Sequence, residues 1–198
     1  VHGLINRPDK PVSGILSTLC SNNNPHRDRI YLHPGSFQDV YEIRRLVERT
    51  SATEIYHLAG QSSPRLSFSL PRTTESSIAT ATMDLLEICK DQKRKISFLL
   101  ASSAEIYGSP REFPQTEDTP IEPVTPYGAC KAYAQNMVKI YRDAFGLRAC
   151  SAIMYNHESP RRGEQFVTQK IAIAAAKIKL GLQKRLSLGN LSGMRDWG

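Results

Sequence analysis

Residues 96–103 have the sequence Ile-Ser-Phe-Leu-Leu-Ala-Ser-Ser, an apolar run of strand length that ends in two small polar side chains. A long helical pattern then begins near Pro126, a residue suited to a first helical turn, and stops at Gly146. A second strand is predicted at Ala149–Tyr155. Strand, helix and strand in this order are typical of a βαβ unit, in which the two strands run parallel.

The same alternation continues on both sides of this unit. Spacing of apolar residues predicts a strand end at Val1–Ile5, a strand at Glu54–Ala59, and helices at Gln38–Arg49, Thr74–Lys90 and Val167–Leu180. Crossovers between parallel strands are right-handed, which places helices on both faces of the sheet. We therefore predict a Rossmann-like, doubly wound parallel sheet in an α/β chain of 198 residues, too short for two ordinary domains.

Composition narrows the class of protein. Apolar residues make up 40% and charged residues 23%, as in globular domains rather than disordered chains. The net charge is +7, but the basic residues are scattered, so a nucleic-acid partner is not indicated. No apolar run is long enough to cross a membrane.

The cysteines and histidines indicate neither disulfide bonds nor a metal site. The four cysteines form no CxxC pair, which predicts buried free thiols in a reducing, cytoplasmic setting rather than disulfides or zinc. The five histidines have no metal-ligand spacing, so no metal is expected.

The predicted helix at residues 126–145 carries a candidate catalytic pair. Tyr127 and Lys131 are four residues apart and therefore share a helix face. A tyrosine, with an ordinary pKa of about 10, is a poor base at neutral pH. A nearby ammonium favours the phenolate and makes it a usable acid/base. Ser103, at the end of the preceding strand, could hold a substrate oxygen against this phenol.

Four segments of the sequence are distinctive: residues 102–108 (SSAEIYG), 127–131 (YGACK), 155–168 (YNHESPRRGEQFVT) and 188–198, which begins LGNL and ends RDWG. They resemble the GDP-mannose 4,6-dehydratases, nucleotide-sugar enzymes of the extended short-chain dehydrogenase/reductase group. The resemblance covers essentially the whole chain and is weakest before residue 50. It implies conversion of GDP-mannose to GDP-4-keto-6-deoxymannose, the first step of GDP-fucose synthesis, by a homo-oligomer (dimer or tetramer).

The resemblance also implies a mechanism. Tyr127, with its pKa lowered by Lys131, takes the proton of the C4 hydroxyl while hydride passes to NADP. Ser103 hydrogen-bonds that oxygen; the family usually has threonine there, and serine keeps the hydroxyl. Glu105 removes the C5 proton as water leaves from C6, and the stored hydride returns to C6. Related epimerases usually have a small residue in place of this carboxylate.

Binding residues follow from the same matches. The positions that match cofactor contacts are Arg7, Leu58, Ala59, Gly60, Gln61, Ser62, Tyr127, Lys131, His157 and Arg162. Those that match substrate contacts are Ser103, Asn156, Val167 and Lys170. The start of the sugar-nucleotide region is expected at about residues 156–198 of the partial NADP-binding domain.

The chain departs from the family pattern in the segments that bind the cofactor. The expected first strand and glycine loop, and most of the C-terminal substrate domain, have no counterpart in this sequence. Family positions have also changed at Asn6, Ser36, Thr73 and Gln169. Three hypotheses for the function of the chain stay open: a piece of a working dehydratase, another nucleotide-sugar epimerase or reductase, and a catalytically silent truncated homologue. The last two differ from the first in lacking the dehydration that Glu105 would catalyse.

Overall fold

The computed structural model describes residues 1–5, 15–36, 38–193 and 196–197. The chain divides into two compact units, Val1–Met154 and Tyr155–Gly198. Within the described ranges, no helix combines the length and apolarity that a membrane crossing requires.

The strands lie in the first unit and are all parallel to their neighbours. They are β1 (His2–Ile5), β2 (Tyr31–Pro34), β3 (Glu54–His57), β4 (Ser97–Ala101) and β5 (Arg148–Ala152). β1 pairs with β2, and β4 lies between β3 and β5. The predicted parallel sheet is thus confirmed. In the part of the chain that the structure describes, no ladder joins β1 to β3.

The helices follow the predicted alternation with two differences. They are α1 (Ile15–Leu19), α2 (Val40–Thr50), α3 (Pro64–Ser69), α4 (Pro71–Glu75), α5 (Ala81–Asp91), α6 (Pro126–Phe145) and, in the second unit, α7 (Val167–Lys179). α1 and α3 were not expected from the sequence. The helix predicted at residues 74–90 begins earlier, and a π-helical turn, Ser76–Thr80, separates α4 from α5.

Two threonine hydroxyls, one on either side of this irregular turn, bond to the backbone. Thr82 Oγ1 donates to the Ile78 carbonyl at 2.6 Å, and Thr74 Oγ1 donates to the Leu70 carbonyl at 2.8 Å. Serine and threonine side chains that bond to the preceding turn often bend helices.

The core lies between one face of the β3–β4–β5 sheet and helices α2, α5 and α6. Side chains alternate along the strands: Phe98 is 2% exposed and Leu100 is fully buried, whereas Tyr56 on the opposite face is 62% exposed. Cys150 is also exposed, so the expectation of buried thiols holds for Cys89 but is wrong for Cys150. The reason is strand alternation, which turns Cys150 away from the covered face.

Helix α6 has well-defined ends that fix its position along the chain. The Thr125 hydroxyl accepts a hydrogen bond from the Gly128 amide at 2.9 Å, and Pro126 occupies the first turn. Gly146, with φ of 66°, ends the helix in a left-handed conformation. Both ends agree with the prediction from sequence.

Candidate active site

Helix α6 brings its two predicted catalytic side chains into the protein interior together. Tyr127 is 8% exposed and Lys131 is 6% exposed. Lys131 Nζ lies 5.8 Å from the centroid of the Tyr127 ring. The predicted shared face is therefore observed, and the phenol and the amine lie in one buried neighbourhood.

The Lys131 ammonium is bound to the end of strand β4. Its Nζ donates a hydrogen bond of 2.6 Å to the carbonyl of Ala101. Burial lowers the pKa of Lys131 from 10.5 to about 8. The amine is therefore still mostly protonated at neutral pH but holds its proton less tightly than an exposed lysine.

A short 3₁₀ turn, Ala104–Tyr107, follows β4 and carries the other two candidates. The hydroxyl of Ser103 accepts the Glu105 amide at 3.3 Å and so caps this turn. Both residues are partly buried. The turn packs against α6, which brings the backbones of Ser103 and Glu105 to the helix that bears Tyr127 and Lys131.

Gly128 permits this close approach. A Cβ atom at this position would lie 2.5 Å from the carbonyl oxygen of Glu105 and 3.1 Å from Cβ of Pro123. Real Cβ atoms essentially never come as close as 2.5 Å to another heavy atom, and the Glu105 oxygen is backbone that cannot move aside cheaply. The YxxxK segment can therefore lie against the turn only because its second residue has no side chain.

His57 is a buried side chain in this neighbourhood that the sequence analysis did not single out. It is 5% exposed and lies in the β3–β4 ladder opposite Leu100, one residue before the carbonyl that binds Lys131. Its Nε2 has no hydrogen-bond partner among the described residues. Burial, and then the charge of Lys131, lower its pKa from 6.5 to about 4.

This histidine makes the fold sensitive to acid. As the pH falls below 6.5, the unfolded chain takes up a proton that folded His57 accepts only near pH 4. The free energy of unfolding that is present above pH 6.5 is therefore lost as the pH falls, and at pH 5 the loss is about 2 kcal/mol. Urea unfolding at pH 7 and pH 5 should show a smaller loss for His57→Asn than for the parent. The exposed His26→Asn variant should behave like the parent, and equal losses in all three proteins would contradict the assignment.

The candidate cofactor segment follows β3. Gly60 has φ of 122°, and a Cβ there would lie 3.0 Å from the Ser77 carbonyl oxygen. Gln61 fixes the segment, since its Nε2 donates to the carbonyl of Ser63 at 2.8 Å. Leu58, Ala59 and Ser62 are exposed. The segment is therefore held in shape while three of its residues face outward.

The second unit holds the remaining predicted residues except Arg7, which lies outside the described residues. The Glu158 carboxylate accepts the Thr168 hydroxyl and lies 3.3 Å from Nε of Arg162. The Arg162 guanidinium lies 3.5 Å above the centre of the Phe166 ring. His157 Nδ1 donates to the Tyr155 carbonyl at 2.9 Å. Arg162 is therefore fixed from two sides.

The three predicted substrate residues of this unit make other contacts. Asn156 forms an isolated parallel bridge with Trp197. Val167 is the first residue of α7 and is 42% exposed. Lys170 Nζ donates to the Ser187 carbonyl at 2.8 Å. No cluster of three potential metal ligands occurs in the described ranges.

Comparison with known proteins gives one family. A sequence profile described as GDP-mannose 4,6 dehydratase matches residues 1–198. GDP-mannose 4,6 dehydratase 2 of Caenorhabditis elegans is 42% identical over 202 residues, covering all of this chain and 53% of that protein. The Yersinia enterocolitica GDP-mannose 4,6-dehydratase is 44% identical over 200 residues, covering all of this chain and 54% of that protein. The chain spans about half the length of the curated relatives it matches.

Solved structures agree on the fold. RMD from Pseudomonas aeruginosa, complexed with NADPH, superposes with a TM-score of 0.79 at 25% identity, covering all of this chain and 69% of that one. A dTDP-glucose 4,6-dehydratase from Streptomyces venezuelae, with NAD bound, gives 0.75 at 20% identity, covering 92% and 53%. With a profile match over its whole length and relatives above 40% identity, the chain belongs to the GDP-mannose 4,6-dehydratase family.

Proposed function

We propose that this chain forms the catalytic part of a GDP-mannose 4,6-dehydratase, which converts GDP-mannose to GDP-4-keto-6-deoxymannose with NADP as cofactor. The observation that carries the proposal is the buried Tyr127–Lys131 pair, packed beside the turn that bears Ser103 and Glu105. Family membership over the whole chain supports the same reaction.

The residues present fit a nicotinamide cofactor. The exposed, conformationally fixed segment Leu58–Ser62 lies at the carboxyl end of a parallel strand, where ligands of such sheets bind. Residues of this chain that would contact the cofactor are Arg7, Leu58, Ala59, Gly60, Gln61, Ser62, Tyr127, Lys131, His157 and Arg162. The NADPH-bound Pseudomonas structure favours NADP. A bound nicotinamide would store the hydride taken from C4 and return it at C6.

The chain's own residues supply the proton transfers. Ser103 hydrogen-bonds the C4 oxygen of the sugar, and Tyr127 accepts the proton of that hydroxyl. The nearby Lys131 ammonium stabilises the negative phenolate oxygen. Glu105 removes the proton from C5, which allows the C6 hydroxyl to leave as water. Asn156, Val167 and Lys170 would bind the rest of the nucleotide sugar.

Glu105 distinguishes dehydration from simple oxidation at C4. In a chimera carrying this chain in place of the matching region of the C. elegans relative, Glu105→Gln should slow product formation about 100-fold or more, because the amide is not a base. In deuterium oxide the parent product should carry deuterium at C5, and the variant should form little of it. The exposed Glu112→Gln serves as control. Unchanged deuterium incorporation in Glu105→Gln would show that another group is the base.

A nucleotide-sugar epimerase and a catalytically silent relative are the competing functions. An epimerase would return a sugar that keeps its C6 hydroxyl, so mass spectrometry of the product separates it from a dehydratase. Calorimetric titration with NADP of the chimera, which restores the parts of the relative that this chain lacks, separates both enzymes from a silent relative that has lost its cofactor contacts. We also propose a cytoplasmic homo-oligomer; the free cysteines and the exposed apolar side chains of α6, Tyr133 and Ile140, support these two points.

A further inference from the structure

A partly buried hydrogen bond joins the end of β4 to the middle of α6. Ser102 is 4% exposed, and its hydroxyl donates to Oε1 of Gln135 at 2.6 Å. The Ser102 amide also donates to the carbonyl of Ala152, the last residue of β5, at 2.9 Å. Ser102 is therefore bound to both the neighbouring strand and the helix.

Gln135 belongs to a row of contacts along one side of α6. Residues 128, 131 and 135 are three and four positions apart, so they lie on one helix face. Gly128 lies against the Glu105 carbonyl, Lys131 donates to the Ala101 carbonyl, and Gln135 accepts from Ser102. All three contacts reach residues 101–105, the segment in which β4 ends and the 3₁₀ turn begins.

The three contacts differ in how they restrain the helix and in whether they involve a charged group. The Gly128 contact is steric: it limits how closely α6 approaches the 3₁₀ turn but does not prevent the helix from sliding along its axis. The Lys131 bond uses an amine whose charge the proposed reaction needs. The bond between Ser102 and Gln135 joins two neutral groups with no part in the proton transfers. It can therefore fix the helix along its axis without any change of charge during a reaction cycle.

We propose that Ser102 and Gln135 are positioning residues that set the register of α6 against β4 and thereby hold Tyr127 and Lys131 opposite Ser103 and Glu105. This inference rests on the proposed function. A displacement of about 1 Å in a reacting group can cost about 100-fold in rate. One turn of helix separates Gln135 from Lys131, so a slip at Gln135 is transmitted directly to the catalytic pair.

The test follows the titration of Lys131 as well as activity. Gln135→Met keeps the length of the side chain and removes the acceptor, Ser102→Ala removes the donor, and Ser102→Thr keeps it. In the 198-residue chain, NMR titration of Lys131 Cε should show a pKa that rises from about 8 toward 10.5 in Gln135→Met and Ser102→Ala, because a loosened helix admits water. His57 and Tyr127 lie close to this amine, so their titrations are followed in the same spectra.

Controls separate positioning from general stability. Ser102→Thr and the exposed Asn136→Ala should keep the parent titration, and the double variant should shift Lys131 no further than either single one. In the chimera, kcat should fall about 10-fold or more with little change in KM. An unchanged Lys131 titration in both Gln135→Met and Ser102→Ala would overturn the inference. Failure of the proposed function would instead appear as an inactive parent chimera with the titration shifts intact.

Discussion

Tyr127→Phe should lower the rate of GDP-mannose dehydration by about 1,000-fold or more, with little effect on folding. The variant ring fills the same buried space beside Lys131 and lacks only the hydroxyl that exchanges the C4 proton. General acid–base groups contribute about 100- to 10,000-fold to enzymatic rates, and the first proton transfer has no second acceptor in the proposed mechanism. The measurement is kcat of the chimera with the C. elegans relative, with thermal unfolding recorded in parallel.

Tyr133→Phe is the matched control for this experiment. Tyr133 is on the same helix and is 45% exposed, so the same chemical change there should leave kcat unaltered. A Tyr127→Phe chimera that works at the parent rate would remove the phenol from the mechanism and with it the role of Lys131 as its electrostatic partner.

Lys131→Met should abolish most activity and yet stabilise the fold at neutral pH. Burial of the ammonium lowers the pKa of Lys131 from 10.5 to about 8, which at about 1.4 kcal/mol per unit of pKa represents on the order of 3 kcal/mol. Loss of the hydrogen bond from the ammonium to the Ala101 carbonyl offsets about 2 kcal/mol of this gain, because bonds to charged groups are stronger than neutral ones. The free energy of unfolding at pH 7 should therefore rise by about 1 kcal/mol.

The pH dependence of the free energy of unfolding tests whether the buried ammonium is the cause. Between pH 8 and 10.5 the folded parent has lost the Lys131 proton while the unfolded chain still holds it, so the parent becomes more stable as the pH rises. The methionine variant has no such group, and its advantage should shrink over this interval. Urea unfolding at pH 7 and pH 10 measures both points. Lys139→Met, at an exposed position of the same helix, should change neither, and a Lys131→Met variant less stable than the parent at pH 7 would contradict the argument.

Local signals in the sequence were sufficient for some elements. Pro126 and Gly146 bracket α6, and both ends of the helix were predicted because these residues act through their own backbone geometry. The strand β4 was equally clear from its apolar run. From these two elements follow the pairing of Tyr127 with Lys131 and the nearby turn that carries Ser103 and Glu105.

Other features depend on contacts between distant residues. β2 contains only Tyr31–Pro34, too short to show a period, and it is stabilised by pairing with β1. The π-helical turn at Ser76–Thr80 lies inside a stretch whose apolar spacing is that of a regular helix, so the spacing does not reveal it. His57 is chemically unusual only because the sheet and helices bury it beside Lys131. No property of residues 54–57 alone indicates this.

Gly128 shows that a position can be intolerant of change without carrying any functional group. The nearest atom to its absent side chain is the carbonyl oxygen of Glu105, the residue proposed to act on the carbon acid. Even one added methyl group would meet that oxygen and shift the backbone of Glu105, and with it the carboxylate proposed as the base, while leaving every reactive group chemically unchanged. The geometry of the proposed reaction thus depends partly on the absence of a side chain, which a survey of chemical groups alone would overlook.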